Sequence, residues 1–331
     1  MCTAFSSPPP SVDIVVPVYN EEEMLPVFHQ MLRQTVDGLP YAFAILYIND
    51  GSTDGTQQAL ERLAAEDERV VLVELSRNFG HQAALTAGLD RAEADWVITM
   101  DCDGQHPPQL IPEMLHLAEL GYDIVITQRQ ESESLGALKR FTSNLFYLLI
   151  NRLGDTHILP GAADFRLMSR TAVLGLRSMR EYHRFLRGMV AWMGFRTVIL
   201  PYQQPPRLAG KSKYSARKMF HLAANAIFSF SLVPLYFSLS LGGIFLLLAA
   251  AQALWVLSLW LRGAYDQLVP GWSSLMFVLL IIGGILMIAI GFIGIYVGYI
   301  FQEIKRRPVY LVRSELRKRR SPEKIVSDPH D

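Results

Sequence analysis

Two long stretches without a charged residue constrain what this chain can fold into more than any other feature. No Asp, Glu, Lys or Arg occurs from Leu222 to Leu261, or from Gln267 to Gln302. About 20 consecutive apolar residues span the hydrocarbon core of a bilayer, so each stretch is long enough to cross it. We therefore predict a membrane region of residues 232–302 that contains two transmembrane helices, at about 234–261 and 272–301.

The residues around these stretches predict how the chain meets the membrane. Pro234 marks the start of the first helix, which leaves residues 215–231 as an amphipathic helix at the interface. Five basic residues precede the first stretch and eight follow the second, whereas the loop Arg262–Gly271 carries one Arg and one Asp. Because cytoplasmic flanks are enriched in Lys and Arg, both termini are expected in the cytoplasm of an inner- or plasma-membrane protein.

The two ends of the chain have distinctive compositions. Residues 1–11 are polar and rich in proline, with no apolar run of a signal peptide, and are expected to be disordered. Residues 303–331 are expected to form a basic cytoplasmic tail that is mobile beyond Arg313. The two cysteines would stay reduced in a cytoplasmic domain, so no disulfide is expected.

The first 210 residues alternate β-branched apolar runs with helical patterns. This order predicts an α/β fold over residues 12–214: a Rossmann-like, mostly parallel sheet with helices on both faces. Basic and acidic residues balance at 31 each, which gives no reason to expect a nucleic-acid partner. Strands are predicted at 13–18, 44–48, 70–74, 96–100, 124–127, 165–168 and 197–201, and helices at 24–35, 56–65, 82–91, 108–120, 138–152 and 182–193.

A pair of aspartates follows the fourth predicted strand. Asp101 and Asp103 lie one residue apart, and Gln105 comes two residues later, before a turn on Pro107 and Pro108. Such a strand delivers hard oxygen ligands to the carboxyl edge of the sheet, where open α/β sheets bind ligands. Mg²⁺ and Mn²⁺ take oxygen ligands and share them with phosphates. The pattern indicates a metal–diphosphate site, although such pairs also occur in solvated loops.

The loops after the first two strands carry groups suited to a nucleoside. Tyr19 offers a flat ring for a base, and Glu21 could accept a hydrogen bond from a base or ribose. Asp50 emerges beside Tyr19 in a parallel sheet, where it could accept the imide N–H of uracil or its counterpart in guanine. These positions favour a nucleotide at the same edge as the aspartate pair.

Simpler roles are open for other polar residues of these loops. Glu22 and Glu23 could serve a helix dipole, and Thr53 or Asp54 could be plain helix caps. The polar turn Ser76–Gln82 fits structural packing beneath a nucleotide as well as a direct contact.

Taken in order, these motifs resemble the family 2 glycosyltransferases of the GT-A fold. More narrowly, the chain is similar to the polyprenyl-phosphate glycosyltransferases, the dolichyl-phosphate mannose synthases and the bacterial undecaprenyl-phosphate glucosyltransferases. Asn49 and Cys102 stand where many relatives have Asp and Ala, so neither is given a ligand role. The motifs that carry the resemblance are Pro17–Glu21, Asn49–Ser52, Arg77–Gly80, Asp101–Pro108, Gly161–Met168, Arg207–Tyr214 and Arg307–Tyr310.

The resemblance implies roles on the donor side of the site. Asp103 and Gln105 would ligate the metal, Mg²⁺ or Mn²⁺, which bridges the diphosphate of a nucleotide-sugar. Arg207 and Lys213 would clamp that diphosphate from a flexible loop. The residues matched to nucleotide-sugar binding are Pro17, Tyr19, Glu21, Asp50, Asp101, Cys102, Asp103, Gln105, Arg207 and Lys213.

On the acceptor side, the resemblance places a lipid phosphate near Arg129, Lys139 and Ser143. Asp164, the residue expected to act in catalysis together with Asp103, matches the proposed catalytic base of the family. A phosphate monoester is already largely ionised at pH 7, since its second pKa is about 6, and hardly needs a base. Asp164 could therefore instead position the sugar hydroxyls, Arg166 and the acceptor, or form a purely structural ion pair.

The function implied is inverting, metal-dependent transfer of a hexose from a nucleotide-sugar to undecaprenyl phosphate. The run Asp164–Arg170 is most similar to the bacterial undecaprenyl-phosphate glucosyltransferases, which favours UDP-glucose, with another UDP-sugar or GDP-mannose as the alternatives. Relatives assemble as tetramers, so a homo-oligomer is expected. A processive synthase would need more helices and a Gln-x-x-Arg-Trp signature, which Tyr182–Trp192 does not contain. A non-enzymatic lipid carrier or flippase subunit would not need Asp101, Asp103 and Asp164 together.

Overall fold

A computed structural model of the chain describes residues 9–130, 159, 161–182, 184–203, 205 and 271–317, together with isolated positions between 240 and 263. It divides into two compact units. The first contains a β-sheet with its flanking helices and includes residues 308–317. The second contains the long apolar helix that ends at Ile304.

The described elements follow the alternating order predicted from the sequence, except for a helix at Arg170–Ser178 and a last strand at Val312–Arg317 that were not predicted. The strands are β1 (Ser11–Val18), β2 (Ala42–Asn49), β3 (Val70–Leu75), β4 (Trp96–Thr99), β5 (Ile124–Arg129), β6 (Ala162–Ser169), β7 (Thr197–Tyr202) and β8 (Val312–Arg317). The helices are α1 (Met24–Val36), α2 (Thr56–Glu66), α3 (His81–Leu89), α4 (Ile111–Glu119, after a short 3-10 turn), α5 (Arg170–Ser178), α6 (Leu186–Trp192) and α7 (Trp272–Ile304).

The eight strands form one mixed sheet in the order β7-β5-β6-β4-β1-β2-β3-β8. β4, β1, β2 and β3 are parallel neighbours, and β5 is parallel to β7. β6 runs antiparallel to both β4 and β5, and β8 runs antiparallel to β3. The predicted α/β fold is thus confirmed, with a sheet that is more mixed than the sequence indicated.

Helices cover both faces of the sheet. Side chains at alternate positions of β1, such as Ile14 and Val16, join a core with α1, α2 and α4. Val15 points to the opposite face, where α3 packs so closely that a Cβ on Gly88 would lie 2.2 Å from Cγ1 of Val15. Because successive side chains of a strand alternate between faces, the apolar strands are buried on both sides, as in α/β proteins.

The segment after α7 is not the mobile tail that the sequence predicted. Val312–Arg317 forms β8 on the free edge of β3. Just before it, the Tyr310 hydroxyl donates to Asp90 at 2.9 Å, and Arg91 donates to that hydroxyl at 3.2 Å. An exposed strand edge carries a row of unpaired backbone groups, and β8 satisfies those of β3. The prediction of mobility beyond Arg313 is therefore wrong for this strand.

Within the described residues, α7 is the one helix long and apolar enough to cross a membrane. Its candidate span, Ile281–Ile304, has a mean hydropathy of 2.4, and none of its most apolar window is buried. Its position agrees with the second predicted span. Most of the first span lies outside the described residues, as do the interfacial helix predicted at 215–231 and the helix predicted at 138–152.

The turn after β2 depends on the absence of a side chain at Gly51. This residue has a φ of +64°, and a Cβ there would lie 2.4 Å from the carbonyl carbon of Arg77 and 2.6 Å from the nitrogen of Asn78. The turn after β2 therefore packs directly against the backbone of the loop after β3. Only glycine readily adopts this positive φ and also leaves room for the backbone of the neighbouring loop to approach so closely.

We expect Gly51→Ala to lower the free energy of unfolding by about 1–3 kcal/mol or more, because strain in the left-handed region adds to a backbone clash. Gly38→Ala is the matched control, since a Cβ at Gly38 would meet no atom within 4 Å. Thermal unfolding of the full chain in detergent, followed by circular dichroism, compares the two variants. Equal midpoints would contradict the proposed packing of the two loops.

Truncation tests the role of β8. Removing residues 312–331 exposes the edge of β3 and eliminates the strand's hydrogen bonds, each worth about 1 kcal/mol, so the midpoint should fall by several degrees. Removing only residues 318–331 keeps β8 and should leave the midpoint nearly unchanged. If both truncations unfold at the wild-type temperature, β8 does not stabilise the sheet.

Candidate active site

Four strands bring polar residues to one edge of the sheet. β1, β2 and β4 are parallel, so the residues that follow Val18, Asn49 and Thr99 meet at their carboxyl edge. β6 runs antiparallel to β4, with Arg166 opposite Thr99, so β6 begins at this same edge. The Thr99 hydroxyl donates to the backbone carbonyl of Asp164 at 2.6 Å. Asp164 thereby lies level with the turn that follows β4.

The carboxylate of Asp50 organises the loop that leads into α3. It is buried, and its two oxygens accept the backbone N–H groups of Phe79 at 2.7 Å and Gly80 at 2.9 Å. Burial raises the pKa of Asp50, while these hydrogen bonds act in the opposite sense. A carboxylate oxygen has more than one lone pair, so a further contact with a base stays compatible with this geometry.

The loop after β1 is tied to the loop after β2. The backbone N–H of Asn20 donates to Ser52 Oγ at 3.0 Å, and Asn20 Oδ1 accepts the N–H of Thr53 at 2.8 Å. The Glu22 carboxylate accepts the N–H of Gly55 at 3.0 Å, where α2 begins. Glu22 therefore contacts the start of α2, whereas the sequence analysis offered it a role at the dipole of the helix that it precedes.

The turn after β4 is fixed by a neutral histidine. The backbone N–H of Asp101 donates to Nδ1 of His106 at 2.8 Å, so that nitrogen carries no proton. Burial lowers the pKa of His106, and its ring stacks on Phe165 of β6 with centroids 5.3 Å apart. The 3.6 Å approach of His106 to the Asp101 carboxylate is therefore not an ion pair. This ring anchors the aspartate turn to β6.

The side chain of Cys102 is buried in the core rather than exposed at the carboxyl edge of the sheet. Its thiol is buried in the core, with Sγ 3.9 Å from the carbonyl oxygen of Pro17, and burial raises its pKa well above the usual value. The motif match included Cys102 in the nucleotide-sugar-binding stretch. A buried, protonated thiol packed against β1 offers no ligand to that site.

Asp103 and Gln105 fit a divalent cation by the chemistry of their side-chain oxygens. Both are partly exposed, and Asp103 Oδ1 accepts the backbone N–H of Gln105 at 3.0 Å. Mg²⁺ and Mn²⁺ are commonly held by one or two protein oxygens, with phosphates and water completing the shell. In the described part of the chain, no group of three or more His, Cys, Asp or Glu side chains could hold a metal ion.

Asp164 is a buried carboxylate held by two arginines. Its Oδ1 accepts from Arg166 at 2.6 Å and from Nε of Arg187 at 3.1 Å, and its Oδ2 accepts from Nη2 of Arg187 at 2.8 Å. Burial acts to raise the pKa of Asp164, but Arg187, His81 and Arg166 together hold it well below the usual range. The carboxylate is thus permanently charged at neutral pH.

His81, the first residue of α3, lies between two carboxylates. Its Nε2 is 3.5 Å from Asp101 Oδ1 and 3.6 Å from Asp164 Oδ2. Burial acts to lower the pKa of His81, but these carboxylates outweigh it and raise the pKa to about 9. The imidazole is therefore a cation at neutral pH.

The structure places Arg129 at the same edge, at the end of β5 opposite Tyr202 of β7. The Arg129 side chain is exposed, and its backbone N–H donates to the carbonyl of Gly161 at 3.0 Å. Four other residues matched to binding lie outside the described residues: Lys139, Ser143, Arg207 and Lys213.

Sequence reasoning missed two members of this cluster. Arg187 lies within Tyr182–Trp192, a segment whose sequence matches no motif of the predicted site. His81 lies in the polar turn Ser76–Gln82, whose sequence fits packing beneath a nucleotide as well as a direct contact. The sequence carries at most a weak indication that Arg187 and His81 belong to this cluster, because their partner Asp164 is distant along the chain from both.

Curated relatives identify the family of this chain. A model of "Glycosyl transferase family 2" matches residues 13–175. An uncharacterized glycosyltransferase of Synechocystis sp. is 38% identical over 91% of this chain and 94% of that protein. The bactoprenol glucosyl transferase of Shigella phage SfV is 38% identical over 93% of this chain and 99% of that protein.

Among solved structures, glucosyl-3-phosphoglycerate synthase of Mycobacterium tuberculosis is 18% identical, with a TM-score of 0.44 over 66% of this chain and 76% of that chain. The relatives match nearly the whole of this chain at an identity that establishes common descent. The chain belongs to glycosyl transferase family 2 and is a glycosyltransferase.

Proposed function

We propose that this glycosyltransferase transfers glucose from UDP-glucose to undecaprenyl phosphate, with inversion at the anomeric carbon. The observation that carries the proposal is the match to the bactoprenol glucosyl transferase of Shigella phage SfV, which takes in 93% of this chain. A match of that extent includes the apolar helix as well as the sheet. The acidic and basic side chains gathered at the carboxyl edge of the sheet support a charged substrate there.

On the donor side, Asp103 and Gln105 would hold Mg²⁺ or Mn²⁺. A divalent cation supplies charge that stabilises the departing nucleoside diphosphate. Tyr19, Glu21 and Asp50 lie at the ends of β1 and β2, where a nucleoside would reach them beside the aspartate turn. Pro17 and the backbone at Cys102 line the same region, and Asp101 adjoins it. The diphosphate clamp is assigned to Arg207 and Lys213 through the family resemblance.

Asp164 acts as a positioning residue in this proposal rather than as a base. A general base works best with a pKa near the working pH, whereas Arg187, His81 and Arg166 hold the pKa of Asp164 far lower. The acceptor phosphate is also largely ionised at pH 7 and is already a nucleophile. The carboxylate instead fixes the guanidinium of Arg187 through two hydrogen bonds. Arg129, Lys139 and Ser143 are proposed to contact the acceptor phosphate.

The acceptor places the reaction at a membrane. A polyprenyl phosphate keeps its phosphate at headgroup level and its tail in the bilayer, so the enzyme must hold its site near that surface. α7 is apolar and exposed over the candidate span Ile281–Ile304, which suits a lipid environment. We propose two spans, at 234–261 and 272–301, with the sheet domain and both termini in the cytoplasm. A homo-oligomer, with a tetramer as one form, stays a prediction.

Sugar transfer into organic-extractable lipid tests the reaction. Purified full-length protein given undecaprenyl phosphate, Mg²⁺ or Mn²⁺ and labelled UDP-glucose is expected to label the lipid, and EDTA is expected to abolish the label. Asp103→Asn should lower transfer by about 10²-fold or more, because an amide is a poorer ligand for a hard cation. Glu113→Gln, an exposed carboxylate on α4, should leave transfer unchanged.

Parallel reactions with GDP-mannose and UDP-N-acetylglucosamine decide the donor. Label from one of these alone would keep the reaction class and replace glucose as the sugar. Absence of transfer from every donor, together with absence of nucleotide binding by folded protein, would refute the proposal.

The positioning role of Asp164 makes a separate prediction. Asp164→Asn and Arg187→Gln should each lower kcat by about 10²-fold at every pH, and the double variant should lose little more, because the two residues act as one unit. Arg170→Gln, an exposed residue at the start of α5, is the control. A limb of the pH–rate profile that is present in wild type and absent in Asp164→Asn would instead identify Asp164 as the base.

A further inference from the structure

Tyr310 belongs to the motif Arg307–Tyr310, for which the family resemblance implies no role. It lies between α7 and β8, and its hydroxyl reaches the end of α3, where it donates to Asp90 at 2.9 Å and accepts from Arg91 at 3.2 Å. Burial raises the pKa of Tyr310, so the hydroxyl keeps its proton and stays a donor at neutral pH. The segment that enters β8 is thereby joined to the C-terminal end of α3.

Arg91 completes this contact from the side of α3. Its Nη1 also donates to the backbone carbonyl of Ala87, in the last turn of α3, at 2.9 Å, and its Nε donates to Glu315 of β8 at 3.0 Å. A cation at the C-terminal end of a helix is favourable, whereas a carboxylate there is not. Arg91 and the hydroxyl of Tyr310 therefore both stabilise Asp90 at the end of α3.

The face of α3 that meets the sheet is made of small side chains. Ala83, Ala84, Ala87 and Gly88 are three or four residues apart and share one face of the helix, and Gly88 lies directly against Val15 of β1. Such a face has shallow ridges, which resist sliding less than the interlocked side chains of ordinary helix packing. Contacts at the two ends of α3 therefore contribute to fixing its position along its axis.

The two ends of α3 are held by different parts of the chain. Before the first turn, the carboxylate of Asp50 accepts the backbone N–H groups that lead into His81. After the last turn, Tyr310 and Arg91 form the contact described above. A helix of this length is a stiff rod of about 13 Å, so a displacement of its last turn along the axis reappears at its first turn. The contact at Tyr310 therefore influences where the ring of His81 lies.

We propose that Tyr310 is a positioning residue for the glycosyl transfer, which fixes α3 along its axis and so holds His81 between Asp101 and Asp164. Nε2 of His81 is 3.5 Å from Asp101 Oδ1 and 3.6 Å from Asp164 Oδ2. Displacements of about 1 Å at a catalytic site are enough to lower turnover. The inference rests on the proposed function in taking the cluster around Asp164 as part of the catalytic site. Tyr310 acts through α3 and not by contact with a substrate.

Hydrogen exchange of α3 tests this positioning without any need for activity. Full-length protein in detergent is compared with Tyr310→Phe, which keeps the ring and removes both hydrogen bonds of the hydroxyl. Amide exchange in α3 should become about fivefold faster in this variant, because the helix loses one of its two end contacts. Ser314→Ala is the matched control, since it removes a hydroxyl of β8 that donates to Glu74 of β3 at 2.8 Å, and it should leave the exchange of α3 unchanged.

Steady-state sugar transfer measures what the position of His81 contributes to the reaction. Tyr310→Phe should lower kcat about tenfold and change the KM of the nucleotide-sugar less than about twofold, since misplaced groups reduce turnover more than donor binding. Asp90→Ala removes the acceptor of the same hydrogen bond and should act alike, and the double variant should lose little more. Ser314→Ala should keep the wild-type kcat and KM.

Three results would each overturn the inference alone. They are unchanged exchange of α3 in Tyr310→Phe, equal effects of Tyr310→Phe and Ser314→Ala, and faster exchange of α3 with a wild-type kcat. Faster exchange throughout the sheet in Tyr310→Phe would also overturn it, because the residue would then stabilise the whole domain and not the position of α3. Failure of wild type to transfer sugar from any donor would refute the proposed function instead, and the exchange of α3 would still decide whether Tyr310 positions that helix.

Discussion

The buried carboxylate of Asp164 joins three segments that are distant along the chain. It lies on β6 with Arg166, receives two hydrogen bonds from Arg187 of α6, and approaches His81 of α3. An ion removed from water costs several kcal/mol unless opposite charges and hydrogen bonds replace its hydration. Asp164 is thereby compatible with burial only when β6, α3 and α6 are all in place. The contacts that arrange the site are therefore the same contacts that hold β6, α3 and α6 together.

The reversal of β6 is what makes this arrangement possible. Because β6 is antiparallel to β4, its first residues lie at the edge where the parallel strands end. Asp164 thereby approaches the aspartate turn, to which the His106 ring, stacked on Phe165, forms a second link. A parallel strand in that position would bring its last residues to the edge instead. The antiparallel strand therefore brings an acidic residue from the start of a strand beside those from the ends of others.

Charge distribution separates the two sides of the candidate site. Asp103 and Gln105 offer oxygen ligands with partly exposed side chains, which suits a cation. Arg187 and His81 offer cationic donors held by a permanently ionised carboxylate, which suits an anion. In the proposed glycosyl transfer both kinds of group would act, because a metal ion and basic side chains stabilise charge on the leaving diphosphate. The same low pKa that makes Asp164 a strong anchor makes it a poor proton acceptor.

The sequence by itself determined most of the order of strands and helices and the residues at the strand ends, because these follow from local apolar patterns and turn residues, although it did not predict α5. It also determined the family, through the aspartate pair and the ordered motifs around it. Tertiary structure alone decided the direction of β6, the pairing of β8 with β3, and the joining of His81 and Arg187 to Asp164. These depend on contacts between residues far apart in the chain, where hydrogen-bond pairing and charge burial override local composition. The basic tail shows this most clearly: its residues predict a solvated segment, and the open edge of β3 makes part of it a strand.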